Sequence, residues 1–386
     1  MSCNSNTNIA LFFSSIDEIP TQFWETLQCE HNVYFHRDFL KSIEKNHSEM
    51  VFSYIILVDE NENPIAFSSL QIVDFYINSI QNNFNLLKNI GRKIGVLKDD
   101  KPFKLLISGN PFVSGEHGLF IQKGQNKPKV IKELAKAILQ FVNADEKLKI
   151  DAFLLKDFMN ESLFITDELK DYKYHPFSVE PNMMLQLDLN WLNFDDYLAA
   201  MKTKFRVKAR KVFKQSNNIR IEEVTLKNID QKLPKMTALY EKVASRAGFN
   251  LEDFNLETYK DLKEKFGDDY ILKTYWLENE IVGFMSGIIN NKSLDAHFVG
   301  LDYQLNRSHA IYQRMLYNYI EIAINKKLKI INFGRTASEI KSSIGAVPQD
   351  LTMYLRHKKQ ITNKILKLFL QRVQPTPFQQ KFPFKL

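Results

Sequence analysis

The sequence predicts an α+β fold with α/β-like units: two tandem domains, each a sheet flanked by helices. Three observations predict it. At 386 residues the chain is long for one hydrophobic core and suits two domains of ordinary size. The second half alternates period-2 and period-3.6 apolar patterns in the order β-α-α-β-β-β-α-β-α-β. The first half repeats most of that order.

Each element has its own signature. In the first half, short helical segments are expected at 21–28 and 37–46, then strands at 51–58 (VFSYIILV) and 65–75 (IAFSSLQIVDF), rich in β-branched and aromatic residues. After a polar helical or loop stretch come a strand at 103–108, a Gly/Pro-rich loop GNPFVSGEHG, a helix at 129–143 and a strand at 149–155. Between the halves, a strand at 183–189 leads into one helix at 195–214, in which Leu198, Met201, Phe205, Ala209 and Val212 make an apolar stripe beneath lysines and arginines. The second half continues with a strand at 219–224, helices at 233–246 and 256–266, and strands at 270–277, 281–289 and 293–300. A helix at 308–325 and strands at 329–333 and 352–357 follow. Domains are therefore expected at 1–182 and 183–358, with a basic tail at 359–386.

The stretch 294–345 holds the most chemistry. LDAHFVG, LDYQLNRSHAIYQRMLYNYIEIAI and KIINFGRTASEIKSSIGA read as a strand, a polar turn, a long helix, a second strand and a Gly-Arg elbow opening a short helix. That is one right-handed βαβ crossover. Alternation puts Asp295, His297 and Val299 on one side of the first strand and Leu294, Ala296 and Phe298 on the other. Ser308 is expected to cap the helix, whose stripe is Ile311, Met315, Tyr319 and Ile322. The open N–H groups of its first turn would suit an anion, such as a phosphate-bearing cofactor.

AHFVGLD, the IYQRML helix and NFGRTASEIKSSIGA resemble the C-terminal half of GNAT-fold acyltransferases of the FemAB/BioF2-like type. In that family the strand before the elbow ends in Phe-Gly-Arg-Ser/Thr, followed by a lysine and a Gly-Ala pair. Phe333, Gly334, Arg335, Thr336, Lys341, Gly345 and Ala346 match that description in order. The likeness covers the second half well and the first half by order of elements alone. It implies two tandem GNAT-like domains, each a mixed, mostly antiparallel sheet. It also implies transfer of an acyl or aminoacyl group from a thioester or ester donor to an amine acceptor on a cell-envelope or lipid precursor. Three roles come with it: Tyr312 as the helix tyrosine that protonates a leaving thiolate, Lys341 as the lysine near the reacting carbonyl or a substrate phosphate, and Lys204 with Arg206 as the Lys-x-Arg pair of the second domain. One departure concerns the donor. The family's glycine-bearing pyrophosphate loop is missing between Gln304 and Ala310, which reads QLNRSHA, so Arg307, Ser308 and His309 are the residues left to contact a cofactor. No tightly bound cofactor is expected; the co-substrate is acyl-CoA or a carrier-bound donor, acyl-ACP or aminoacyl-tRNA.

Acylating an amine requires a base, donors for the developing oxyanion and a place for the acyl donor. His297 has the ordinary pKa of a base; it also reads as a core histidine satisfied by a carbonyl or by Asp295. Arg335 offers a planar fork for carboxylate or phosphate at a strand end. Tyr312 also reads as core packing beside Tyr317 and Tyr319, Lys341 as a surface lysine, and Lys204 and Arg206 as a solvated face. Asp295 is a polar residue inside an apolar run and a candidate substrate contact. Walker, Gly-x-Ser-x-Gly, dinucleotide and Cys-x-x-Cys patterns are all missing. The two cysteines, Cys3 and Cys29, are too few for a metal cage or a disulfide framework, so no metal site is expected.

The net charge of +7 is concentrated. Residues 202–214 hold seven basic and no acidic residues, and residues 351–386 hold eight and none, leaving 37 basic against 45 acidic elsewhere. That distribution argues against a general nucleic-acid coat, while 202–214 on its own would fit an RNA-binding module. In the tail, Ile361, Ile365, Leu368, Phe369 and Arg372 recur on neighbouring turns beside Lys364 and Lys367, a pattern that can lie on an anionic membrane surface or dock back on the protein. No apolar run approaches the ~20 residues of a spanning helix, and the first residues lack a secretory pattern. The expected location is the cytoplasm, with peripheral contact at the inner face of the membrane. A degenerate domain pair that binds a carbohydrate or lipid precursor without chemistry fits the same residues.

Overall fold

The computed structural model describes residues 8–75, 102–246 and 251–385. The polar stretch expected before residue 103 and Cys3 lie outside the described residues. The chain forms two compact units, the first drawn from 1–179, 248–254 and 350–375, the second from 180–247, 255–349 and 376–386.

The first unit contains β1 (Ile9–Phe13), α1 (Thr21–Leu27), α2 (Arg37–Asn46), β2 (Val51–Val58), β3 (Pro64–Phe75), β4 (Phe103–Ser108), β5 (Leu119–Ile121), α3 (Lys127–Ala144), β6 (Ala152–Phe158), α4 (Leu163–Thr166) and β7 (His175–Ser178). Its sheet runs β1-β2-β3-β4-β6, then the late strand Thr352–His357, then β7, with β5 on β3. β4 and β6 are parallel, joined by α3 as the crossover. Asn126 caps α3 by accepting from the Lys129 N–H at 3.1 Å, and the face bearing Val130, Ile131, Leu134, Ile138 and Val142 is buried in the core.

Thr352–His357 corrects the linear domain division. Expected in the second domain, it pairs instead with β6 and β7. There Tyr354 is fully buried and its hydroxyl reaches Thr166 Oγ1 and Asp167 Oδ1, each at 2.9 Å, partners that belong to this unit. A phenol that large is stable in a core only where its hydroxyl is paired.

The second unit contains β8 (Asn182–Gln186), α5 (Phe194–Ala200), α6 (Thr203–Gln215), β9 (Ile219–Glu223), α7 (Ile229–Ala244), α8 (Thr258–Phe266), β10 (Tyr270–Leu277), β11 (Glu280–Asn290), β12 (Ser293–Leu301), α9 (Tyr303–His309), α10 (Ile311–Asn325), β13 (Ile330–Asn332), α11 (Ser338–Ser342) and β14 (Val347–Gln349). Its sheet runs β14-β8-β13-β12-β11-β10-β9. Among the described residues β12 and β13 are its parallel pair, crossed over by α10. Ile311, Met315 and Tyr319 of α10 are buried, as the stripe predicts. Gly283 lets this helix approach the sheet: a Cβ there would stand 2.6 Å from Met315 Cε. With one parallel pair and one crossover helix in each sheet, the chain carries the tandem arrangement expected from its order of elements.

Three further expectations change. The single helix at 195–214 is broken, because Met201 is extended (φ −73°, ψ 145°) and bridges to Phe384. The helix at 308–325 is also two helices: Ala310 adopts a left-handed conformation (φ 49°) between α9 and α10. Ser308 is therefore inside α9, its hydroxyl donating to Leu305 O at 3.1 Å, and the capping role falls to Asn306, whose Oδ1 accepts from the Tyr312 N–H at 2.9 Å. Finally, strict alternation fails in β12. Met285 pairs with Val299 but Gly287 with Ala296, so His297 and Phe298 both stand opposite Ser286. This β-bulge reverses the parity beyond it, and Val299 joins Leu294 and Ala296 against the core.

The tail forms α12 (Gln360–Leu370) within the first unit, while 376–385 belong to the second. Among the described residues no helix is long and apolar enough to cross a membrane.

Candidate active site

β12 and β13 pair only from Ser293–Ile330 to Asp295–Asn332. β12 then runs on to Leu301 while β13 stops, so the two strands part at their carboxyl ends, where open α/β sheets place ligands. The bulge lies on the parting segment. Ser286 bridges it: its Oγ accepts from the Phe298 N–H at 3.1 Å and donates to Phe298 O at 2.9 Å.

The elbow follows β13. Phe333 N–H donates to Met183 O and Met183 N–H to Gly334 O, at 2.9 and 3.1 Å, pinning its base to β8. Gly334, Thr336 and Ala337 have φ of 68°, 67° and 49°. Left-handed geometry is costly for a β-branched threonine, of order 1–3 kcal/mol, and persists only where the surroundings over-determine it. Lys341 does that. Buried at 3% exposure on α11, its ammonium donates to the carbonyls of Phe333 (2.7 Å), Gly334 (3.2 Å) and Arg335 (2.5 Å). Burial pushes its pKa down to about 7, so a lysine expected as a surface or substrate-facing cation is here the clamp of the elbow. Arg335 is half-buried, and its Nε donates to Glu180 O at 2.9 Å.

His297 stands beside Tyr270, ring centroids 6.2 Å apart, and burial pushes its pKa down to about 3. At neutral pH the imidazole is uncharged and weakly basic, which suits hydrogen bonding better than proton abstraction. Asp295 is buried, its carboxylate accepting from Ser293 Oγ at 3.1 Å and Asn290 Nδ2 at 3.3 Å at the β11–β12 hairpin. The Tyr312 hydroxyl is pushed well above its usual range by burial.

Of the cofactor candidates, Arg307 and Ser308 are exposed on α9, and Ser308 Oγ lies 2.9 Å from His309 Nδ1. α9 is folded in place of an open glycine loop, and Asn306 takes the second N–H of α10, which leaves one fewer open donor at this helix start for a pyrophosphate. Lys204 is exposed on the first turn of α6, whereas Arg206 folds back to donate from Nη1 to Met201 O at 3.3 Å. Among the described residues, the seven cations of 202–214 form no ion pair. The residues that sequence reasoning missed are Ser286, Asn306 and the Lys341 acceptors; only the Gly-Arg elbow itself signalled its neighbourhood. No group of His, Cys, Asp and Glu that could hold a metal occurs among the described residues.

Fold and elbow together define a tandem GNAT-fold protein. Two solved structures share the arrangement: FemX, with a TM-score of 0.51, 10% identity and coverage of 84% of this chain and 92% of that one, and a tandem GNAT protein from the clavulanic acid biosynthesis pathway, at 0.51, 9%, 90% and 98%. The chain belongs to the FemAB-like family, described as peptidoglycan biosynthesis/recognition, whose model matches residues 104–381. A search of curated proteins finds no match.

Proposed function

We propose that this protein transfers an acyl or aminoacyl group to an amine on a cell-envelope precursor, with the elbow after β13 as the reacting site. The observation that carries the reading is the clamped elbow, in which a buried lysine holds the Phe-Gly-Arg carbonyls ahead of the strained Thr336–Ala337 turn, where two parallel strands part. In this reading Arg335 binds a substrate anion or the developing oxyanion. The Lys341 amine, with a pKa near neutrality, holds the turn and exchanges a proton there, while His297 positions the acceptor as a neutral imidazole.

The donor is carrier-bound, acyl-ACP or aminoacyl-tRNA, rather than acyl-CoA. Both carriers are polyanions, and the unpaired cations of α6, Lys204 among them, offer the complementary charge. The acceptor is a small or lipid-linked amine, and α12 supplies peripheral contact with an anionic membrane: Ile361 and Leu368 stand out from it at 77% and 60% exposure, seven residues apart, beside Lys364 and Lys367.

A transfer assay with labelled aminoacyl-tRNA, acyl-ACP and acyl-CoA against cell-envelope precursors tests the reading, with product expected from a carrier-bound donor. Binding of precursor with no product from any donor would favour a recognition protein instead, a reading that the low basicity of His297 makes concrete.

A further inference from the structure

The segment Thr376–Lys385 lies across two parts of the second unit that the function above uses separately. On one side, Phe384 bridges to Met201, Lys202 N–H donates to Pro383 O at 2.7 Å and Lys385 N–H donates to Ala200 O at 3.0 Å. These bonds hold the break between α5 and α6 open, and the first turn of α6, with Lys204 and Arg206, starts from it. On the other side, the Phe384 ring fills the place that a side chain on Gly345 would take: a Cβ there would stand 2.3 Å from Phe384 Cε2, and Gly345 has φ 104°. The ring also packs on Trp191 and Tyr197, at centroid distances of 5.2 and 5.8 Å.

From Gly345 the contacts lead directly to the elbow. Ala346 N–H donates to Lys341 O at 3.1 Å, Tyr197 OH to Ile344 O at 2.8 Å, and Gln380 Nε2 to Ala346 O at 3.0 Å. Lys341 in turn holds the three elbow carbonyls. The Gly-Ala pair thus has a physical reason in this chain: glycine gives the turn its left-handed φ and admits the ring.

We propose that Phe384 is a positioning residue for the candidate active site, fixing the elbow of Arg335 and the first turn of α6 against each other so that both act on one substrate. The proposal rests on the reading of the elbow as the transfer site, and its test runs without substrate.

The full chain is labelled with ¹³C at lysine Cε, and the Lys341 signal, assigned by its loss in Lys341→Arg, is titrated by NMR. Wild-type Lys341 is expected to titrate near pH 7. In Phe384→Ala, water reaching the Gly345 turn restores solvation to the ammonium, so the midpoint rises by about one unit or more. Amide exchange over 333–346 and 201–206 quickens together by about tenfold. Phe384→Leu, which keeps an apolar side chain, brings both readouts back towards wild type. Wild-type titration and exchange in Phe384→Ala would overturn the proposal. If that variant does not fold, Gln380→Ala carries the test: a smaller rise in the Lys341 midpoint supports the proposal, and an unmoved midpoint contradicts it. A failed transfer assay leaves these readouts unchanged, so the two readings fail separately.

Discussion

Lys341 Nζ lies 2.7 Å from the carbonyl oxygen of Phe333, eight residues earlier in the chain, and this contact closes the elbow that carries Arg335. Burial pushes the pKa of this amine down to about 7 in the fold, from the ordinary lysine value of 10.5. Below pH 7 both folded and unfolded chains hold the proton and no slope arises. Between 7 and 10.5 the folded amine is neutral while the unfolded one is charged, so unfolding takes up a proton and stability rises with pH, by at most about 1.4 kcal/mol per unit. Lys341→Met should abolish that slope and leave the three carbonyls without their donor, a loss of about 1–3 kcal/mol. Denaturant midpoints at pH 7 and pH 9 check both effects.

His297 has a different pH signature. With its pKa near 3, its titration falls outside the neutral range, so the neutral limb of a pH–rate profile should survive His297→Gln and move in Lys341→Arg. This reverses the assignment that the ordinary pKa of histidine suggests. A neutral limb flattened by His297→Gln would return the base role to the imidazole.

For the tail, the exposed Ile361 and Leu368 predict partitioning onto vesicles containing phosphatidylglycerol. Replacing Lys364 and Lys367 with glutamate should release the protein, since each basic residue near such a surface contributes about 1 kcal/mol. Sedimentation with vesicles of increasing anionic fraction measures it. Unchanged partitioning of the double variant would show that the lysines of α12 do not hold the protein on the membrane.

Asn306→Ala should lower stability by about 1 kcal/mol through loss of the bond to the Tyr312 N–H. It should also leave α10 with an open N–H, which inorganic pyrophosphate could then bind. Calorimetric titration with pyrophosphate checks the second part, the variant giving a binding heat beyond that of wild type.

Much of the fold was legible because periodicity and element order are local. Strands 270–277 and 293–300 and the stripe of α10 stand close to where they were expected. The failures share a cause, which is that distant contacts decided them. Met201 leaves its helix to pair with Phe384, 183 residues away, and Thr352–His357 crosses to the first sheet where Tyr354 finds its hydroxyl partners. The bulge at His297–Phe298 depends on Ser286 from the neighbouring strand. At the site, resemblance marked Arg335 and Lys341, but a lysine reads as exposed in any sequence until its carbonyl acceptors are seen. Composition likewise gave no sign that burial would lower the pKa values of Lys341 and His297.

The most direct test is Arg335→Ala in the transfer assay, with folding monitored in parallel. The side chain's Nε bond to Glu180 O predicts a modest fall in unfolding midpoint. Removing a charged donor from developing negative charge predicts a loss of roughly 10²–10³ in rate. A folded Arg335→Ala protein that transfers at the wild-type rate would contradict the assignment of the elbow as the reacting site.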